Sequence, residues 1–172
     1  MARNVEIKAR IESVTDLAHR VAPMAPEEPT VINQDDTFFH CANGRLKLRQ
    51  FDDGTGQLIF YQRPDQHGPK ESFYILSATS SPDSLREALA LAYGVLGRVR
   101  KQRLLYRVGR TRVHLDKVEG LGEFMELEVV LGDGESTDDG NREAASLMEQ
   151  LGIEDGQLID GAYLDLLRQI AG

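Results

Sequence analysis

Asn4-Val5-Glu6-Ile7-Lys8-Ala9-Arg10-Ile11 alternates polar and apolar residues without a break. That is the two-residue period of a β-strand, with Asn4, Glu6, Lys8 and Arg10 on one face and Val5, Ile7, Ala9 and Ile11 on the other. A surface strand alternates in the same way, so the reading turns on whether the pattern recurs with charge. It recurs at Arg45, Lys47 and Arg49, at Lys101 and Arg103, at Arg112, His114 and Asp116, and at Glu126 and Glu128. Several strands therefore have one charged and one apolar face. The charged faces either meet water on a half-covered sheet or line the inside of a barrel.

Turn signals divide the rest of the chain. Ser13 is placed to cap a short helix running to Val21, and Pro23, Pro26 and Pro29 end it. Strands are expected over Val31–Phe39, Arg45–Phe51, Gln57–Gln62 and Glu71–Ala78, with Asp53-Gly54 as a hairpin turn. Ser81 and Pro82 open a second helix that Gly94 and Gly97 terminate. A hairpin over Val99–Val108 and Thr111–Lys117 turns at Gly109-Arg110. Gly120-Leu121-Gly122 lacks a following helix, so it reads as a turn into the strand Glu123–Leu131 rather than a phosphate loop. Asn141–Leu151 is helical, and Gln157–Ile170 reads as an amphipathic helix burying Leu158, Tyr163, Leu166, Leu167 and Ile170. The sum is an α+β chain with about eight antiparallel strands in hairpin succession, a largely closed sheet, and helices packed outside it.

Composition narrows the function classes. With 172 residues, the chain fits one domain able to bury a core. Hydrophobic residues at 41% and charged ones at 28% are ordinary for a globular protein and argue against disorder. No apolar run is long enough to span a bilayer and no signal-peptide pattern opens the chain, so no membrane association is expected. A single cysteine, Cys41, excludes an internal disulfide, suits a cytoplasmic location and reads as a small buried side chain. The formal charge of −8 disfavours duplex nucleic acid as a partner, although Arg98–Arg112 is locally basic.

The charged faces suggest a chemistry. Glu6, Glu126 and Glu128 each sit between apolar neighbours, and Asp116 follows Leu115. Strand positions i and i+2 lie about 7 Å apart on one face, so Glu126 and Glu128 can address one hard cation. Oxygen ligation without Cys-rich or His-rich spacing implies Mg2+ or Mn2+ rather than Zn2+. Lys8, Lys47, Arg49, Arg63, Lys101 and Arg103 supply arginine forks and lysine point charges that match phosphate oxygens. Sharing one interior, these cations would repel one another, and burying unpaired charge costs several kcal/mol per group. A phosphate chain with divalent cations would satisfy both sets. On any single strand, the default reading remains a solvated face.

These residues resemble a family. Glu6-Ile7-Lys8 is similar to the second half of the Glu-x-Glu-x-Lys signature of the CYTH superfamily, the triphosphate tunnel metalloenzymes. Further likeness lies in Gln34–Phe39, Gly44–Arg49, Arg100–Arg103, Val113–Asp116 and Gly120–Glu128, and Ala162–Leu167 resembles the closing helix. The resemblance implies one domain over residues 1–172. Its eight-stranded antiparallel closed β-barrel occupies about 3–131, and its C-terminal helical segment about 141–171. It implies that Glu6, Glu126 and Glu128 hold the metals with Asp116 assisting, and that Lys47, Arg49, Lys101 and Arg103 cradle a triphosphate. Lys8 contacts phosphate or positions the nucleophile; Arg63, or Gln62 beside it, stands where the family usually has a lysine. The implied activity is metal-dependent attack on a small triphosphate: either cyclisation of ATP to cyclic AMP and pyrophosphate, as in class IV adenylyl cyclases, or hydrolysis of a substrate such as tripolyphosphate or thiamine triphosphate. A non-catalytic polyphosphate- or nucleotide-binding module is the alternative, and a homodimer is compatible with the family. The chain departs from the signature at Asn4, which stands in place of the first glutamate and brings a carbonyl without charge.

Four more expectations follow from the residues. Tyr61, Phe73 and Tyr74 are candidates to stack a base, with core packing as the default. His114 shares a face with Arg112 and Asp116 and reads first as a hydrogen-bonded structural imidazole. His19 and His67 look exposed. His40 has no companion ligands.

Overall fold

A computed structural model of the chain describes residues 2–64, 66 and 68–171. His67 lies outside the described residues. The strands are β1 (Ala2–Ile11), β2 (Thr30–Phe39), β3 (Arg45–Phe51), β4 (Gly56–Gln62), β5 (Lys70–Thr79), β6 (Val95–Val108), β7 (Thr111–Val118) and β8 (Gly122–Val130). The helices are α1 (Val14–Val21), α2 (Pro82–Tyr93), α3 (Thr137–Gln150) and α4 (Tyr163–Ala171). The strands close into a barrel in the order β1-β5-β4-β3-β2-β6-β7-β8, every neighbouring pair antiparallel.

The opening alternation has its answer in burial. From Asn4 to Ala9, β1 is buried on both faces. Val5, Ile7 and Ala9 pack outward beneath helices. The principal core joins Ile7 and Ala9 to Val113, Leu115, Met125 and Leu127 of β7 and β8, to Val14, Leu17 and Val21 of α1, and to Leu147 of α3. The opposite faces of these strands turn into the barrel and carry Glu6, Lys8, Arg112, His114, Glu126 and Glu128. Helices cover the outer face here, so the polar face lies inside.

Sequential hairpins form five seams: β2–β3, β3–β4, β4–β5, β6–β7 and β7–β8. The remaining three, β1–β5, β1–β8 and β2–β6, join distant segments and close the barrel. At α1 the Ser13 hydroxyl accepts from the Asp16 amide at 3.1 Å, as its capping position predicts. At α2, Ser81 occupies the N-cap position but makes no side-chain capping bond.

Two expectations about the path of the chain are corrected. Gly97 does not end α2. Gly94 does so alone at φ +83°, and Gly97 lies inside β6. The segment after Gln157 is not continuously helical. Leu158 bridges to Ala9, the Ile159 amide donates to the Lys8 carbonyl at 3.0 Å, and α4 begins only at Tyr163. Backbone pairing with β1 outcompetes helix there, and Ile170 at the far end stays exposed.

Gly97 is where α4 meets the barrel. A Cβ on it would lie 2.3 Å from Leu164 Cδ1, and Leu164 is itself buried. Gly97→Ala is expected to destabilise the fold by about 1–3 kcal/mol through overpacking. A denaturant midpoint equal to that of the parent protein would refute this docking.

Candidate functional site

The barrel encloses a cavity of about 340 Å³ whose wall includes Glu6, Lys8, Lys47, Arg49, Arg63, Lys101, Arg103, Glu126 and Glu128. The tertiary structure thus brings nine of the ten sequence-predicted site residues to one space. Asp116 is the exception.

The basic wall is organised by a residue outside that predicted set, Asp36 of β2. Cross-strand register places Asp36 opposite Arg49 and its neighbour Gln34 opposite Lys101. Arg49 donates to both Asp36 oxygens at 2.9 Å, while Lys47 and Lys101 approach Oδ2 at 3.1 and 3.2 Å. Burial would push the Asp36 carboxyl up, but the charges of Arg49, Lys101 and Lys47 hold it well below the usual carboxylate range. One carboxylate cannot neutralise three cations. Burial, with Arg49 close by, lowers Lys47 to about 8. Lys101 is lowered to about 7, chiefly by burial, with Arg49, Arg103 and Lys47 adding to it. This wall has an unmet demand for anion. The signal for Asp36 was present in the alternation of Gln34, Asp36 and Phe38, within a segment that carries the family likeness.

Asp116 lies behind Arg103. The two are register partners, and Arg103 donates to the two Asp116 oxygens at 2.7 and 2.8 Å. The Tyr163 hydroxyl donates to Asp116 Oδ2 at 2.7 Å. Although burial opposes ionisation, the Arg103 charge and hydrogen bonds pull Asp116 down to about 2. Fully buried and engaged by these donors, Asp116 anchors Arg103 rather than facing the cavity. Tyr163 also places its ring 4.0 Å from Lys8 Nζ and 5.5 Å from Lys101 Nζ, against Phe124 at 4.9 Å. Nothing local in the sequence assigns it that place, which follows from the bridge of Leu158 to β1.

The third group lies on β1, β7 and β8. Glu6 accepts a hydrogen bond from Arg63. Glu126 Oε2 is 3.5 Å from Lys8 Nζ, and Glu128 Oε2 accepts from Arg112 Nε and Nη2 at 3.0 and 2.7 Å. The Oε1 atoms of both glutamates lie 3.8 Å from His114 Nδ1, too long for a hydrogen bond. His114 Nδ1 has no hydrogen-bond partner among the described residues. Asn4 Oδ1, on the same cavity wall, is likewise buried and unpartnered.

Two carboxylates this close cannot ionise with equal ease. Against the effect of burial, the Lys8 charge holds Glu126 well below its ordinary value, while burial and the neighbouring Glu126 raise Glu128. Orphaned buried acceptors beside paired carboxylates fit a cation, and oxygen-rich donors fit a hard divalent one.

The remaining sequence candidates separate clearly. Tyr61 and Tyr74 line the cavity, whereas Phe73 faces outward with the Arg3 guanidinium 5.9 Å from its ring centroid. Lys47 and Arg63 lie 5.3 and 5.9 Å from the Tyr61 ring centroid. Cys41 is exposed, contrary to its reading as buried. It sits in the β2–β3 turn with Sγ 3.3 Å from the Asn43 carbonyl. His19 and His40 are exposed and contribute nothing to the cavity. No helix among the described residues is long and apolar enough to cross a membrane.

Comparison with known proteins agrees with this architecture. The CYTH domain family matches residues 2–163. Adenylate cyclase CyaB of Aeromonas hydrophila is 28% identical over 173 residues, covering 96% of this chain and 88% of that protein. The PH1012 protein of Pyrococcus horikoshii OT3 shares the fold at TM-score 0.85 and 20% identity, over 95% of this chain and 99% of that one. A Hippeastrum adenylyl cyclase candidate with dominant triphosphatase activity superposes at TM-score 0.69 and 17% identity, over 96% of this chain and 95% of that one.

Proposed function

We propose a function from one premise: this chain belongs to the CYTH domain family. Its tunnel binds a small triphosphate together with a divalent cation, Mg2+ or Mn2+, and cleaves the triphosphate. The observation that carries this reading is the pairing of two walls around one cavity. Lys47, Arg49 and Lys101 crowd a single Asp36, opposite Glu126 and Glu128, whose Oε1 atoms are not held by Lys8 or Arg112.

Each residue then has a role its geometry permits. Lys47, Arg49, Lys101 and Arg103 donate to the non-bridging phosphate oxygens and spread the charge that develops during transfer. Arg63, held by Glu6, adds a fork at the same chain of phosphates. Asp116 and Tyr163 fix the Arg103 guanidinium, so little reorganisation is needed when substrate enters. Glu126 and Glu128 hold the cation, with Glu6 close by as the cross-strand partner of Glu128. A divalent cation bound there supplies Lewis-acid charge to the phosphoryl oxygens. Lys8, between Glu126 and the Tyr163 ring, orients the attacking oxygen or a terminal phosphate.

Hydrolysis is the reaction the cavity supports best. Water attacks the terminal phosphorus and gives up a proton to solvent, the bond to the bridging oxygen breaks, and the diphosphate part leaves with that electron pair. Of the three rings considered for stacking a nucleobase, Phe73 faces away and cations crowd the Tyr61 ring, which leaves Tyr74 alone on the cavity wall. The likeness to adenylate cyclase CyaB favours a second reading, in which the ATP 3′-hydroxyl attacks the α-phosphorus and pyrophosphate leaves. Incubation with Mn2+ or Mg2+ and tripolyphosphate, thiamine triphosphate or ATP separates the readings. Orthophosphate means hydrolysis and cyclic AMP with pyrophosphate means cyclisation. Tight binding without products leaves a polyphosphate- or nucleotide-binding module.

Binding should also move protons. Lys101 at about 7 and Lys47 at about 8 are partly neutral in the free protein at pH 8. A bound polyanion raises both, so binding takes up protons and affinity falls as pH rises through this window. Arginine stays charged at pH 8, so Lys101→Arg is expected to take up about one proton fewer per tripolyphosphate bound than the parent chain. Calorimetry in buffers of different ionisation enthalpy measures this difference, and equal uptake in the two proteins would refute it.

A further inference from the structure

The β7–β8 seam holds an imidazole that the proposed reaction does not use. His114 is 5% exposed, lies on the cavity wall, and faces Glu126 directly across the strand pair. Its Nδ1 has no hydrogen-bond partner among the described residues. Leaving a buried ring nitrogen unsatisfied costs stability, so a partner that enters the cavity would be favoured there.

The arrangement of the neighbouring glutamates is more telling. In each, Oε2 is engaged by a cation: Lys8 for Glu126, Arg112 for Glu128. In each, Oε1 is turned toward His114 Nδ1, at 3.8 Å in both cases. Donor atoms of the three side chains all lie within 4.8 Å of one another. Two donors each about 2.1 Å from one ion sit roughly 3–4 Å apart, the spacing of His114 Nδ1 from each glutamate oxygen. A shared proton would draw Nδ1 to one oxygen at hydrogen-bond length, whereas the nitrogen is equidistant from two.

We propose that His114 is a metal ligand, completing with Glu126 and Glu128 a one-nitrogen, two-carboxylate site that prefers a divalent transition-metal ion to Mg2+. This rests on the reading of the tunnel as a metal-dependent site and adds to it a ligand and an ion preference. Imidazole is a softer donor than carboxylate, and Mg2+ gains little from nitrogen, whereas Mn2+ and the ions after it accept it. Asn4 works in the same direction. It puts a neutral group where a further carboxylate would have raised the affinity for a hard ion.

The test uses the whole chain, without triphosphate, and Mn2+ as the probe. Pulsed electron paramagnetic resonance of bound Mn2+ is expected to show 14N modulation that changes to that of 15N when the protein carries 15N-histidine. His114→Gln should abolish that modulation and lower the ratio of Mn2+ to Mg2+ affinity, measured by calorimetry, by about tenfold. Glu128→Gln should weaken Mn2+ binding and its nitrogen signal together. Mn2+ that depends on Glu128 but shows no nitrogen coupling in the parent protein would overturn the His114 assignment while leaving the carboxylate site intact. Mn2+ binding indifferent to both Glu126→Gln and Glu128→Gln would overturn the assignment and the metal-dependent reading together. The isotope measurement and the Glu128→Gln comparison decide the matter even if His114→Gln fails to fold.

Discussion

Glu128→Gln is expected to lower metal-dependent triphosphate cleavage by roughly 10³-fold while the barrel stays folded. The substitution keeps the shape and one oxygen of the side chain and removes its charge. Arg112, the cation engaged with it, is only half-buried and retains an amide oxygen to donate to. The adjacent Glu126 loses a like charge, which offsets the loss of the ion pair. The structural consequence is therefore small. The chemical one is large, because a neutral amide oxygen binds a divalent cation far more weakly than a carboxylate. Glu126→Gln should act in the same way. Steady-state rates over a range of Mn2+ and Mg2+ concentrations, with circular dichroism on the same samples, measure both halves. Parental turnover in both variants would remove the two glutamates from the reaction.

Asp36→Asn is expected to give the largest stability loss of any single change within the tunnel, about 3–5 kcal/mol at neutral pH. Asp36 is the carboxylate shared by Arg49, Lys47 and Lys101, and only 1% of it is exposed. Without its charge, three cations, Lys101 buried and Lys47 and Arg49 largely so, face one another. The lysines can escape by losing protons, and their depressed values show that this is already within reach. A lysine whose folded pKa lies below its unfolded value opposes folding most at pH below the folded pKa, and that opposition fades as pH rises above it. The deficit of Asp36→Asn should accordingly be greater at pH 6 than at pH 9. Tripolyphosphate should restore more stability to the variant than to the parent protein, since the ligand replaces the missing negative charge. Denaturant titrations at both pH values, with and without tripolyphosphate, test this. A variant as stable as the parent at pH 6 would show that Asp36 does not hold the basic wall.

Glu128 and Asp36 differ in how readily the sequence reveals them. Glu126-x-Glu128 announces itself, since two carboxylates two residues apart on an otherwise apolar strand must share a face. Asp36 has the same alternation, but its neighbour Asp35 dilutes the signal. Asp35 points outward to Arg98, and only the register of β2 against β3 and β6 reveals that Asp36 is the one enclosed. Asp116 shows the reverse. The family resemblance implied that it assists the metals, and its cross-strand pairing with Arg103 gives it a different partner.

The residues by themselves determined the strands, the division of each into a charged and an apolar face, and the resemblance to the family. Strand period and turn chemistry are local, written in neighbouring positions, and helix covering of one face follows from amphipathic segments nearby. Tertiary structure alone decided which charges neutralise which. Ion pairing depends on register across seams such as β1–β8 and β2–β6, whose partners lie far apart in the chain. It also decided that Leu158 pairs with Ala9 instead of extending a helix, and so brought Tyr163 against Lys8. Contacts of this kind depend on closing the barrel, and no short-range pattern encodes them.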